Sequence, residues 1–223
     1  ACDTDSPENC PPEGGPDFDF GCATILAQLS NGQELVIAGQ KSGFVHALNP
    51  DTGELVWQTQ VGRGGIQGGV HFGMASHNDK LYVGISDMRD GRAYPTPRRP
   101  GLHAVNLLNG EILWYAEAPE DVCKGRKYCH PGISQAVTSI GDTVFAGGMD
   151  GIMRIHDSET GELLREIDST EEFQTINGSL TNGGSFGGAA GPVAQDGLVV
   201  LSSGYNIYNH MAGNLLLVLE AQE

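Results

Sequence analysis

Gly43–Trp57 reads GFVHALNPDTGELVW, and this stretch decides the fold. Phe44, His46 and Leu48 fall on one face of an extended segment, Val45 and Ala47 on the other, which is the two-residue period of a strand. Asn49–Gly53 is a polar turn in which Gly53 supplies a positive φ. A second strand leaves the turn over Glu54–Gln60. Trp57 within it carries a large apolar ring that needs a neighbour to cover it.

The unit recurs. Gly101–Trp114 reads GLHAVNLLNGEILW, and Gly151–Leu164 reads GIMRIHDSETGELL. Their turn glycines, Gly53, Gly110 and Gly161, lie 57 and 51 residues apart. A small-residue strand precedes each unit: Leu35–Gly39, Leu81–Ile85 and Thr143–Gly147. A fourth pass, Leu198–Ser203 followed by Gly213–Leu219, stops where its turn should begin. Short strands repeating about every 50 residues predict an all-β propeller with about four blades in this chain. The rival is a β-sandwich with chance similarity, which three aligned hairpins disfavour. Closed propellers use about four to eight four-stranded blades. Three complete units and a partial one therefore predict half of an eight-bladed ring, completed by a second homologous chain. The alternative is that the sequence is a fragment.

The 223 residues suffice for one sizeable core. Acidic residues number 28 and basic residues 12, a net charge of -16. That balance argues against nucleic-acid binding and against docking on anionic lipid. No apolar run approaches the roughly 18 residues of a membrane span. Ala1 reads as the first residue of a processed chain or an internal fragment. The cysteines are Cys2, Cys10, Cys22, Cys123 and Cys129. Cys123 with Cys129 closes a small loop; Cys2 with Cys10 leaves Cys22, and other pairings stay open. An odd count points to a free thiol or an interchain bridge, and the usage favours a secreted or extracellular protein. A zinc reading of Cys123, Cys129 and His130 lacks a fourth ligand. Asn177-Gly178-Ser179 is a glycosylation sequon.

Along the chain, residues 1–15 read as an irregular arm pinned by disulfide bonding, and 16–223 as the half-propeller. In Pro16–Gly21, PDFDFG, an edge strand would pack Phe18 and Phe20 inward; Asp17 and Asp19 are the weak metal candidates. Lys41 lies in a tight connection between two strands, where it either stays on the surface or faces the central channel and holds an anionic oxygen. Val61–Gly73 is glycine-rich without the lysine of a phosphate loop, so its glycines suit a crowded axis. It offers Arg63, His71 and Phe72 as channel residues. Asp87–Pro100, DMRDGRAYPTPRRP, is a basic insertion that either meets an acidic partner or is solvated. Tyr205, Tyr208 and His210 border the last unit's loop.

Taken together and in order, PDFDFG, AGQKSGFVHALNPDTGELVW, GGVHFGMA, GLHAVNLLNGEILW, GGMDGIMRIHDSETGELL and NGGSFGGAAGPV resemble the C-terminal half of polyvinyl-alcohol-dehydrogenase-like quinoproteins, the eight-bladed PQQ propellers. The resemblance spans roughly residues 16–219. It implies PQQ on the axis with calcium and a catalytic aspartate. It places the PQQ-contacting lysine at Lys41 and matches Asp19 to the aspartate of the aromatic-acid motif. The chain departs from the pattern in two ways: it has no Cys-Cys pair, and it has His71-Phe72-Gly73 where relatives have His-Trp-Gly. A separate acidic chain of this kind also resembles the two-subunit blue carotenoproteins of marine sponges.

The expectation drawn from these features is a non-catalytic ligand-binding subunit, a carotenoid-binding chromoprotein. Its apolar pocket would draw on Phe72, Tyr94, Phe186, Tyr205 and Tyr208. The alternatives are half of a PQQ- and calcium-dependent alcohol dehydrogenase, in which the cofactor performs the hard chemistry, and a structural propeller that binds another protein.

Overall fold

The computed structural model describes residues 15–220, so Cys2, Cys10 and nearly all of the expected arm lie outside the described residues. Seventeen strands form four blades and one small hairpin. The first blade is β1 (Ile25–Gln28), β2 (Glu34–Gly39), β3 (Phe44–Leu48) and β4 (Leu55–Gln60). The second is β5 (Val70–His77), β6 (Lys80–Ile85), β7 (Gly101–Asn106) and β8 (Ile112–Glu117). The third is β9 (Thr138–Ile140), β10 (Thr143–Gly147), β11 (Ile152–Asp157) and β12 (Leu163–Asp168). A hairpin, β13 (Phe173–Gln174) and β14 (Leu180–Thr181), precedes the fourth blade: β15 (Val193–Gln195), β16 (Leu198–Ser203) and β17 (Leu215–Glu220). Every pairing is antiparallel between sequence neighbours. The all-β propeller expectation therefore holds, with three four-stranded blades and a three-stranded fourth.

The two-residue period assigns each strand's residues to one neighbouring blade or the other. Leu35, Ile37, Val45, Ala47 and Trp57 of the first blade pack with Leu81, Val83, Ile85 and Val105 of the second. The opposite face of the second blade presents Tyr82, Leu102 and Ala104 to Val144 and Ala146 of the third. Phe145 and Met153 then meet Leu201, Val199 and Leu217 of the fourth. Successive side chains on one strand thus serve two interfaces, and a one-residue slip would exchange them.

The repeat tryptophan fastens one blade to the next. The Trp57 indole donates its Nε1–H to Leu107 O at 2.8 Å. Its ring lies over Gly110, where an added Cβ would come within 2.9 Å of it. Trp114 repeats this, donating to Ser158 O at 3.3 Å and covering Gly161. In the third blade Arg165 takes the tryptophan's place, paired with Ile155 as Trp57 is with Ala47 and Trp114 with Ala104. A crevice of about 570 Å³ opens there, lined by Phe145, Ile155, Arg165, Ile167, Val199 and Leu219 among others.

One expectation is corrected. Pro16–Gly21 forms no strand, and Phe20 is exposed beside the His46 ring rather than packed inward. Cys123 and Cys129 close the small loop as a disulfide, as expected, which removes both from the zinc reading. Before β9, Ser134–Val137 dip into the interior, where Gln135 Nε2 donates to Ala190 O at 3.0 Å.

Candidate functional site

Lys41 occupies the turn between β2 and β3. Gly43 there has φ +86 and approaches the backbone of Gly62 too closely for any Cβ. The turn is locked by Gln40 N–H donating to Phe44 O and by Lys41 N–H donating to Asp19 O. The second bond brings PDFDFG alongside. The Lys41 side chain is only 8% exposed, and its Nζ lies 2.9 Å from Asp17 and 3.1 Å from Asp19, both largely exposed carboxylates. Burial opposes the ammonium charge, but the bonds to Asp17 and Asp19 outweigh it and hold the lysine pKa above its ordinary value. Two carboxylates and one ammonium leave a local excess of one negative charge.

His71, on β5, faces this group. Its Nδ1 shares a 2.8 Å hydrogen bond with the buried Ser134 hydroxyl. Burial, then the charge of Lys41, push its pKa down to about 4, so the imidazole is neutral at pH 7. From His71 a line of rings crosses the inner ends of the blades. Phe72 stacks on His71 at 4.0 Å, and Tyr205 meets Phe72 edge-on at 6.0 Å. His210 follows at 5.9 Å and His130 at 6.4 Å. Gln67 Oε1 accepts from His210 Nε2 at 2.9 Å, which joins the glycine-rich loop to the last blade. Burial takes His210 down to about 4 as well.

The structure therefore gathers Asp17, Asp19, Lys41, His71, Phe72 and Tyr205 and leaves the other candidates apart. Arg63 caps the Tyr94 ring at 4.0 Å, and the Tyr94 hydroxyl donates to Asp90, forming a separate cluster in the basic insertion. Phe186 is fully buried between the third and fourth blades, filling the space that Gly147 leaves without a Cβ. Tyr208 is exposed. Asn177 is exposed at the tip of the β13–β14 hairpin, its Oδ1 accepting from Ser179 N–H. Cys22 is a half-buried free thiol that donates to Gly39 O, and burial raises its pKa.

Sequence reasoning passed over Ser134, Gln67 and Asp87. Asp87 is wholly buried at the end of β6. Its Oδ2 accepts from the N–H groups of Arg63 and Arg99, and its Oδ1 from those of Gly64 and Gly69. This one carboxylate shapes the loop that carries Gln67. Arg98 of the insertion binds Asp87 O and, with Arg89, the Glu120 carboxylate.

A family model described as outer membrane protein assembly factor BamB, built of PQQ-type repeats, matches residues 33–218. The chain belongs to this family. It is 40% identical over 200 residues to polyvinylalcohol dehydrogenase of Pseudomonas sp and 37% identical over 201 residues to that of Sphingopyxis sp. (strain 113P3), covering 88% of this chain in each case. It spans about 30% of the length of those two relatives. Among solved structures, quinohemoprotein alcohol dehydrogenase ADHIIG from Pseudomonas putida HK5 superposes with a TM-score of 0.59 at 16% identity, over 92% of this chain and 33% of that one. BamB from Moraxella catarrhalis gives 0.51 at 16% identity, over 82% and 46%. These two likenesses confirm the fold. The dehydrogenase relatives overturn the expectation of a non-catalytic, carotenoid-holding subunit and favour an enzymatic role.

A buried ammonium suits an anionic or quinone oxygen, exposed carboxylates beside it suit an alcohol proton, and neutral rings suit a flat ligand's face. Those features fit PQQ. Among the described residues no group of three or more His, Cys, Asp or Glu is placed to hold a metal ion.

Proposed function

We propose that the chain forms part of a PQQ-dependent alcohol dehydrogenase propeller and supplies the lysine–aspartate end of its cofactor site. The observation that carries this reading is the buried Lys41 ammonium between Asp17 and Asp19, in a chain 40% identical to a polyvinylalcohol dehydrogenase over 88% of its length. When bound, PQQ would supply the acceptor for the hydride of the alcohol carbon. Lys41 holds a cofactor oxygen by charge and hydrogen bonding. Asp19, with Asp17 beside it, accepts the alcohol's hydroxyl proton. Neutral His71, fixed by Ser134, keeps a second cation away from Lys41, and the Phe72 and Tyr205 rings narrow the space around the substrate.

The half-propeller, residues 16–223, presents this group to blades contributed by a second homologous chain. The family's description and the Cys123–Cys129 disulfide support an extracytoplasmic location. No helix among the described residues is long and apolar enough to cross a membrane.

The test is dye reduction with an alcohol substrate by the assembly that contains this chain, with PQQ and Ca²⁺ added together and singly. Dependence on PQQ, and its loss in Lys41→Ala with an unchanged melting temperature, is the expected result. No turnover after both additions overturns the proposal.

A further inference from the structure

Residues 118–137 connect the second blade to the third. Part of this connection stands off the third blade. A space of about 500 Å³ separates Val122, Lys124 and Arg126 of the loop from Ile152, Arg154 and Glu166 of the blade. Asp121, Lys124, Gly125, Lys127 and Tyr128 are exposed, and none of residues 121–128 joins the apolar cores between blades. Lys124 and Tyr128 have left-handed φ, +45 and +60, a conformation that side chains of this size avoid unless their surroundings impose it. Here the constraint is covalent. The Cys123–Cys129 bond closes the loop on itself, and within the ring Arg126 N–H donates to Cys123 O at 2.8 Å.

The closed ring directs two side chains outward. Arg126 Nη1 donates to Thr170 Oγ1 at 2.9 Å, and its Nη2 to Asp150 O at 3.3 Å. Asp150 lies in the turn between β10 and β11, and Thr170 just after β12. His130, the residue after Cys129, turns toward the candidate site. Its imidazole faces the Asn209 carbonyl and meets the His210 ring at 6.4 Å. Tyr208 and Asn209 are exposed and also left-handed, with φ +60 and +62. Gln67 donates to Tyr208 O at 3.4 Å and accepts from His210 Nε2 at 2.9 Å. The segment that sets Tyr205 against Phe72 is thus braced by Gln67 on one side and by His130 on the other.

We infer that the Cys123–Cys129 bond is a redox latch on the candidate site, opened by a dithiol. A thiolate of the dithiol attacks Cys123 Sγ, since Cys123 is half-buried and Cys129 buried. A mixed disulfide forms, and the Cys129 sulfur leaves and takes up a proton. The second thiol of the reductant loses its proton, attacks its own partner sulfur and displaces Cys123, which is protonated in turn. Two electrons and two protons pass to the chain, and the reductant leaves as its cyclic disulfide. With the ring open, Lys124 and Tyr128 relax, Arg126 lets go of the third blade, and His130 no longer braces Asn209. The Tyr205–His210 segment loosens while the blades stay intact. The consequence for turnover rests on the quinone-site reading above; the opening itself does not.

The experiment is hydrogen–deuterium exchange at pH 7 with and without dithiothreitol, read by mass spectrometry, with alkylation of Cys123 and Cys129 confirming reduction. Residues 121–130 should exchange up to about 50-fold faster once reduced, the loop-closure entropy of a ring with this spacing. Residues 205–211 should follow, while β6, β7, β10 and β11 keep their protection. Cys123→Ser with Cys129→Ser should show the fast exchange without reductant and no response to it, which removes the other cysteines from the result. His130→Ala, with the bond intact, should speed exchange over 205–211 and leave 121–128 unchanged. A bond that dithiothreitol does not reduce in the folded chain, faster exchange confined to 121–130, or loss of protection throughout the blades overturns the inference. No readout requires PQQ, so a failure of turnover would sink the quinone-site reading and leave the latch standing.

Discussion

Gly53 and Gly110 occupy the same turn position in successive repeats with nearly the same φ, +74 and +78. They differ in what lies above them. A Cβ on Gly53 meets nothing within 4 Å, whereas one on Gly110 comes within 2.7 Å of Thr59 Oγ1, 2.8 Å of Trp57 Cε3 and 2.9 Å of Trp57 Cδ2. The indole cannot retreat freely, because Nε1 is tied to Leu107 O at 2.8 Å and the ring is buried. Gly53→Ala should therefore cost only the left-handed backbone penalty, about 1 kcal/mol. Gly110→Ala should cost that plus overpacking of about 1–3 kcal/mol. Urea unfolding at pH 7 reads the difference: with a slope near the upper end for small proteins, about 3 kcal/mol/M, the midpoints should separate by roughly 0.3–1 M. In a Trp57→Leu background the excess should shrink to what the Thr59 Oγ1 contact alone imposes, which a double-mutant cycle reports as coupling. Equal costs for the two alanines in the wild-type background would show that the indole does not fasten the blades as described.

Three further outcomes are expected. Asp87→Asn replaces one accepting oxygen with an amide group, leaving two of the N–H donors from Arg63, Gly64, Gly69 and Arg99 facing another donor; the loss should be about 3 kcal/mol by thermal or urea unfolding. His71, His103 and His210, each held near pKa 4 by burial against an ordinary value of 6.5, stay neutral in the fold. The unfolded chain takes up protons that the fold refuses, so stability is full above about pH 6.5 and falls as pH drops toward 4, by up to about 1.4 kcal/mol per pH unit for each histidine; unfolding curves between pH 7 and 4 check this, and a flat profile would contradict it. The fourth blade, joined without an indole and with Arg165 at that place, should exchange its amide hydrogens with solvent faster than the first three, as read by mass spectrometry.

The fold was legible because its instructions are local. Alternation in Phe44–Leu48 and the turn at Gly53 lie within a dozen residues of one another, and the same local pattern returns at Gly110 and Gly161. Lys41 was legible for the same reason, being held in a turn that its own neighbours shape. Asp87 was not, because it reads as one more charge in DMRDGR, and its donors arrive from Arg63–Gly69 and Arg99, which only the folded loop assembles. Phe186 misled in the opposite sense: among glycines it reads as an aromatic free to line a pocket, yet the absence of a side chain at Gly147 creates the hole it fills. The non-catalytic expectation arose from a likeness of the whole acidic chain to carotenoproteins rather than from any residue, and the dehydrogenase relatives overturn it.

The fastening of Trp57 to Gly110 and of Trp114 to Gly161 has a direction: each indole reaches forward in the chain, never back. Such a series tolerates a change in the number of its members. A duplicated module arrives with its own receiving glycine and its own forward-reaching indole, so both new seams are made from parts already present. Ancestral growth by whole modules would then have needed no compensating substitution, and the series ends wherever a module, like that of Arg165, no longer extends a ring to its successor.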